Sequence, residues 1–117
     1  MHEISVLKKI VDTCERVAAD NGVSNIKGIT LTVGELTGYI PYFFTEYFPL
    51  VTKDKPLFEG AQLQMREIKG EALCKECGSL YNVMRCEGQC PRCGSRSKTI
   101  IGGEEFRLEQ ILVSESD

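Results

Sequence analysis

Four cysteines in two short repeats constrain the fold of this chain more than any other feature. The first repeat reads Cys74-Lys-Glu-Cys77-Gly78, and after a gap the second reads Cys90-Pro-Arg-Cys93-Gly94. Two Cys-x-x-Cys-Gly units are typical of a tetrahedral four-thiolate zinc site, because each pair can bind one ion from a tight turn. The glycine after each pair fits such a turn, which needs a positive φ. The predicted zinc ligands are Cys74, Cys77, Cys90 and Cys93.

The length of 117 residues suits a single domain of ordinary size, in which about two thirds of the unfolded surface can be buried. No apolar run approaches the roughly 18 residues of a membrane span, and the N-terminus lacks a signal-peptide pattern. We therefore expect a cytoplasmic protein, in which paired thiols are more often metal ligands or redox groups than disulfides. Cys14 is expected to be a small buried hydrophobic residue. Cys86 is either a competing ligand or a bystander, and a closed four-thiolate site favours the bystander.

Apolar residues at spacings of three and four predict a first helix from Ile4 to Ala18, which stops at Asn21-Gly22. Pro41 suits the first turn of a second helix, in which an apolar face is expected to pack in the core. This face comprises Ile40, Phe43, Phe44, Tyr47, Phe48 and Val51. Pro49 lacks a backbone N–H, so a kink or stop is expected near Phe48.

Alternating residues predict three strands, at positions 29–33, 61–66 and 106–113, with a phase change at Glu109 and Gln110 that suggests a β-bulge. We predict an α+β fold in which two helices pack on a small three-stranded sheet. A zinc-ribbon module with rubredoxin-like knuckles is inserted between two of the strands. The predicted domains are residues 1–69 plus 104–117, and residues 70–103, which we call the cysteine module. Because the module is tethered at both ends, we expect it to tilt as a body.

The chain has a single histidine, His2, and this limits the possible enzymatic chemistry. No serine or cysteine lies in a nucleophile motif, and no glycine-rich loop is followed by the Lys-Ser/Thr of a phosphate site. Four thiolates would fill the zinc shell and leave no open position for catalysis. We therefore expect a structural zinc ion and no enzymatic activity.

The N-terminal tripeptide Met1-His2-Glu3 could bind a second metal. The terminal amine, the deprotonated backbone nitrogen of His2 and its imidazole can form fused chelate rings in one plane. Glu3 can add its backbone nitrogen or its carboxylate. Such nitrogen-rich, square-planar coordination suits Ni(II) or Cu(II). From the residues alone, a histidine at position two is more simply explained as a chance feature of a solvated terminus, because two-residue signals are common by chance.

Several motifs in this order resemble the HypA/HybF family, whose members are nickel metallochaperones for nickel–iron hydrogenase maturation. The resemblance spans essentially the whole chain. It rests on Met1-His2-Glu3 before a helix, Gly34-Glu35-Leu36 with Gly38 after the first strand, Glu59-Gly60-Ala61 before the second, both Cys-x-x-Cys pairs, and Gly103-Glu104-Glu105 before the last strand.

The resemblance implies that His2 and the Met1 amine bind Ni(II), that Glu3 belongs to the nickel site or its surroundings, and that the four cysteines hold structural zinc. It also implies two partners, a hydrogenase maturation GTPase and the hydrogenase large subunit, and in some organisms urease maturation proteins. A monomer or homodimer with no membrane partner is expected.

Two other classes of function remain open at this stage. Residues 71–99 carry five Lys/Arg against three Glu, so with a chain total of −3 the remaining residues carry −5. This basic bias would suit a zinc-ribbon module that binds nucleic acid or protein, but Tyr81 is the module's one aromatic residue and a stacking platform for nucleic acid is lacking. A thiol oxidoreductase would need a Cys-x-x-Cys pair opening a helix after a strand, and neither pair has this context.

Overall fold

The computed structural model describes residues 3–114, which form two α-helices, two short 3-10 helices and six β-strands. The α-helices are α1, Glu3–Asp20, and α2, Pro41–Val51. The strands are β1, Ile26–Gly34; β2, Gln62–Ile68; β3, Glu71–Cys74; β4, Leu80–Asn82; β5, Lys98–Gly102; and β6, Phe106–Val113. The 3-10 helices span Glu35–Thr37 and Pro56–Phe58. The predicted α+β class is confirmed.

Helix α1 buries one apolar stripe, as the spacing of its residues predicts. The buried residues are Val6, Leu7, Ile10, Val11, Cys14 and Ala18. Cys14 is fully buried, which confirms its role as a small core residue. Val17, which follows the same spacing, is 39% exposed. The stripe therefore lies on one side of α1. Helix α1 contacts α2.

Helix α2 differs from the prediction in two ways. It continues through Pro49 to Val51, so a stop near Phe48 is wrong, while a kink there stays a prediction. Proline removes one intrahelical hydrogen bond near the helix end, while burial of Phe48 and Val51 favours the helical conformation. The expected apolar face is also only partly buried, because Phe44 lies in the core whereas Ile40 is 50% exposed.

The first sheet has the strand order β2-β1-β6, so β1 is its central strand. These are the three strands that the alternating pattern predicts. Leu63 and Met65 of β2 are half-buried, while their neighbours are exposed. In β6 the exposure pattern changes phase at Glu109 and Gln110, as expected from the sequence.

A second sheet, with the order β4-β3-β5, forms inside the cysteine module. Both pairings are antiparallel, with Ala72 opposite Tyr81 on β4 and opposite Ile100 on β5. The alternation of apolar residues in the sequence does not predict β4 or β5. They are three and five residues long, too short to give a clear alternation.

The chain divides into two compact units. The first comprises Met1–Leu31, Ile40–Arg66 and Arg107–Asp117, and the second comprises Thr32–Tyr39 and Glu67–Phe106. The predicted domain boundaries stay a prediction. Neither α-helix within residues 3–114 combines the length and the apolar character that crossing a membrane would require.

Candidate metal centre

The two Cys-x-x-Cys repeats form turns with the same backbone hydrogen bonds. The Gly78 N–H donates to the Cys74 carbonyl at 3.0 Å, and the Gly94 N–H donates to the Cys90 carbonyl at 2.8 Å. Both glycines have positive φ, 76° and 81°, as the sequence predicts. The chain thus builds the same ligand-presenting turn twice.

Two serines that are not among the predicted site residues complete these turns. The Cys74 N–H donates to the Ser79 carbonyl and the Cys90 N–H donates to the Ser95 carbonyl, each at 2.9 Å. The signal was present, because both repeats extend to Cys-x-x-Cys-Gly-Ser. Ser79 also places its hydroxyl 3.3 Å from Cys77 Sγ.

The four predicted ligands converge, with all four Sγ atoms within 4.8 Å of one another. Cys74 Sγ lies 3.5 Å from Cys93 Sγ, and Cys77 Sγ lies 3.6 Å from Cys90 Sγ. A tetrahedral zinc ion with Zn–S bonds of about 2.3 Å holds its sulfurs about 3.8 Å apart. Both the spacing and the all-thiolate donor set therefore suit a closed, structural metal site.

The thiols differ in acidity because their hydrogen bonds differ. Hydrogen bonding to the Ser79 side chain and backbone lowers the pKa of Cys77 to about 6, and the Cys77 backbone N–H lowers the pKa of Cys74. The Ser95 backbone favours the Cys93 thiolate, but proton sharing with Cys74, burial and the neighbouring thiols together raise the pKa of Cys93 to about 12. Thiolates this close repel one another, so a cation is needed to hold all four ionised.

The surroundings of the site are largely apolar. Ala72, Cys74, Tyr81 and Cys90 form its buried cluster, and Cys86 packs against this cluster with Val83 and Ile100. Cys86 does not belong to the group of four converging thiols. This placement agrees with a bystander that packs beside the metal site.

At the other predicted centre, Met1 and His2 lie outside the described residues. Glu3 is the first residue of α1, and its Oε2 accepts a hydrogen bond of 3.1 Å from the Ile40 N–H. The carboxylate therefore joins the start of α1 to the residue that precedes α2.

Comparison with known proteins identifies the family. Residues 1–113 match the family model described as "Hydrogenase/urease nickel incorporation, metallochaperone, hypA". The chain is 33% identical over 113 residues to the hydrogenase maturation factor HypA of Geobacter metallireducens, covering 97% of this chain and 99% of the relative. It is 34% identical over 117 residues to the HypA of Chlorobium limicola, covering all of both chains.

A solved structure is similar along nearly the whole chain as well. The solution structure of the nickel metallochaperone HypA from Helicobacter pylori matches with a TM-score of 0.65 and 26% identity over 97% of each chain. A second HypA solution structure matches with a TM-score of 0.69. By sequence and by fold, this chain belongs to the HypA family of nickel metallochaperones for hydrogenase maturation.

Proposed function

We propose that the protein carries one Ni(II) ion on Met1, His2 and Glu3 and holds one structural Zn(II) ion on Cys74, Cys77, Cys90 and Cys93. Nickel is the cargo, bound weakly enough to be passed on, and zinc is resident. Family membership carries this proposal, and it favours metal delivery over a nucleic-acid-binding ribbon.

The start of α1 supports the nickel assignment. The first four N–H groups of an α-helix have no intrahelical acceptor, so the Glu3 backbone nitrogen could release its proton to solvent and bind a metal without breaking a helical hydrogen bond. The hydrogen bond from the Ile40 N–H to the Glu3 carboxylate would hold the third residue of the tripeptide in place. Nickel would therefore bind to a short terminus fixed at its third residue.

The geometry of the four thiols supports the zinc assignment. Four sulfurs within 4.8 Å match the tetrahedral preference of Zn(II), whereas nitrogen-rich planar sites suit Ni(II). The two metals would thus be separated by ligand chemistry. A four-coordinate thiolate site leaves no open position, so zinc would support the fold of the module and would not catalyse a reaction.

Delivery requires partners, and we propose those that hydrogenase maturation calls for. A maturation GTPase would take part in nickel transfer, and the hydrogenase large subunit would be the final recipient. The family description also includes urease, so urease maturation proteins are candidate partners. We place the protein in the cytoplasm, where thiols stay reduced.

The nickel proposal is tested by calorimetric titration of the zinc-loaded protein. Replacing His2 by Ala, or adding four residues without histidine before Met1 so that the terminal amine can no longer chelate together with His2, removes one of the proposed ligands and should weaken Ni(II) binding by at least about tenfold. Zinc content should stay at one ion per chain in both variants. Undiminished nickel affinity in either variant would refute the N-terminal site.

The zinc proposal is tested separately by elemental analysis. The purified protein should hold one zinc ion per chain, and Cys74→Ala should lose it. A Cys74→Ala variant that retained a full complement of tightly bound zinc would contradict the assignment.

A further inference from the structure

Glu35 lies in the 3-10 helix that follows β1, and its carboxylate reaches the chain that enters the cysteine module. Its Oε1 accepts a hydrogen bond of 2.8 Å from the Gly70 N–H and lies 3.5 Å from Asn82 Nδ2. The side chain is 21% exposed, so water competes only weakly for these contacts. Lys69 Nζ lies 3.9 Å from Oε2, but the Lys69 side chain is 65% exposed, and such a pair contributes little.

The chain that leaves the module is held at the same place. The Leu36 N–H donates to the Gly103 carbonyl at 2.7 Å, and the Gly34 N–H donates to the Glu105 carbonyl at 2.6 Å. The Gly103 N–H in turn donates to Glu105 Oε1 at 2.6 Å. Residues 34–36 therefore bind both the entering and the leaving chain.

The contact between these segments is close enough to exclude side chains. A Cβ atom on Gly103 would lie 2.5 Å from Gly70 Cα, and Gly103 has a φ of 107°. A Cβ atom on Gly34 would collide with the Gly103 carbonyl. We call residues 34–36, 70 and 103 the glycine junction.

We propose that Glu35 is a positioning residue that locks the glycine junction, so that the segment Thr32–Tyr39 moves with the cysteine module as one body. Both lie in the second compact unit. Flexible glycines at the two tethers would otherwise act as independent hinges. With the junction closed, a partner that displaces the cysteine module also displaces residues 34–36.

The experiment is amide hydrogen exchange by NMR on the zinc-loaded, full-length protein. In Glu35→Ala, exchange of the Gly70, Leu36 and Gly34 amides should accelerate together by at least about tenfold. Leu36 and Gly34 are the critical probes, because neither amide bonds to the Glu35 side chain. The Gly78 and Gly94 amides report on the cysteine turns and should not change.

Two further variants separate positioning from charge. Glu35→Gln keeps a carbonyl oxygen for the Gly70 N–H, so it should hold the three rates within about threefold of the wild type. Glu67→Ala is the matched control, because Glu67 also pairs with Lys69, at 3.3 Å. Within residues 3–114, no hydrogen bond is seen between the Glu67 carboxylate and the junction glycines. It should leave the junction unchanged.

Acceleration at Gly70 alone would overturn the proposal, because Glu35 would then hold a single bond and not the junction. No change in Glu35→Ala, or equal acceleration in Glu35→Gln, would also overturn it. Should Glu35→Ala fail to fold, the wild type still decides the matter. Under rising mild denaturant its three amides should converge on one opening curve, and three separate curves would refute a single locked unit.

Discussion

The number of protons released when zinc binds tests the geometry of the thiol site directly. A zinc ligand must be a thiolate, so each protonated thiol gives up its proton on binding. With a pKa of about 6, Cys77 is mostly ionised at pH 7 and releases about 0.1 proton. Cys93, with a pKa of about 12, releases a full proton. The lowered pKa of Cys74 reduces the total further, so we expect about three protons or fewer per zinc ion.

A disordered module would behave differently. Four thiols with an ordinary pKa of about 8.5 would together release about 3.9 protons at pH 7. The number of protons that Cys77 releases on zinc binding should rise by about 0.8 between pH 7 and pH 5. The affinity for zinc should therefore fall more steeply with acidification below pH 6.

The assay is calorimetric titration of chelator-prepared, metal-free protein with zinc in buffers of different ionisation enthalpy. Ser79→Ala is the informative variant, because loss of the hydroxyl 3.3 Å from Cys77 Sγ should raise the pKa of Cys77 and increase proton release at pH 7. Release of about four protons by the wild type would show that the hydrogen bonds around Cys77 do not organise the metal-free site, and would refute this reasoning.

Three other predictions concern stability and metal content. Burial, with a smaller contribution from the neighbouring charge of Glu15, raises the pKa of Cys14 from 9.0 to about 11. The folded protein therefore gains stability from the neutral thiol that is fully present below pH 9 and is lost as the pH rises to 11. Chemical denaturation should show a loss of up to about 3 kcal/mol across this window, which Cys14→Ala should lack. Gly103→Ala should lower the free energy of unfolding by about 2–4 kcal/mol, whereas Gly102→Ala, whose added Cβ would meet nothing closer than 3.8 Å, should cost less than about 1 kcal/mol. Cys86→Ser should keep one zinc ion per chain by elemental analysis, and a loss of zinc there would make Cys86 a ligand.

The features that the sequence predicted well are those encoded by local spacing. The stripe of α1 repeats every three or four residues, and the two cysteine turns repeat with their glycines in place. Each pattern needs only near neighbours in sequence to determine its structure. Convergence of Cys74 and Cys77 with Cys90 and Cys93 was also predictable, because one metal site requires it.

The features that were missed depend on contacts between distant parts of the chain. The hydrogen bond from the Gly70 N–H to the Glu35 carboxylate joins residues 35 positions apart, and no local sequence pattern predicts it. Likewise, the spacing of apolar residues predicts that α2 is an apolar helix, but it does not predict how many faces of the helix are buried by the rest of the protein. Tyr42 and Leu50 remain 61% and 64% exposed, while Phe44 on the same helix is fully buried.

X-ray absorption at the nickel edge, on protein loaded with one zinc and one nickel ion, tests the division of the two metals most directly. We predict nickel surrounded by nitrogen and oxygen alone, while the zinc edge reports four sulfurs at about 2.3 Å. Thiolate sulfur in the nickel shell would contradict the account, because it would place the cargo on the cysteines instead of on Met1, His2 and Glu3.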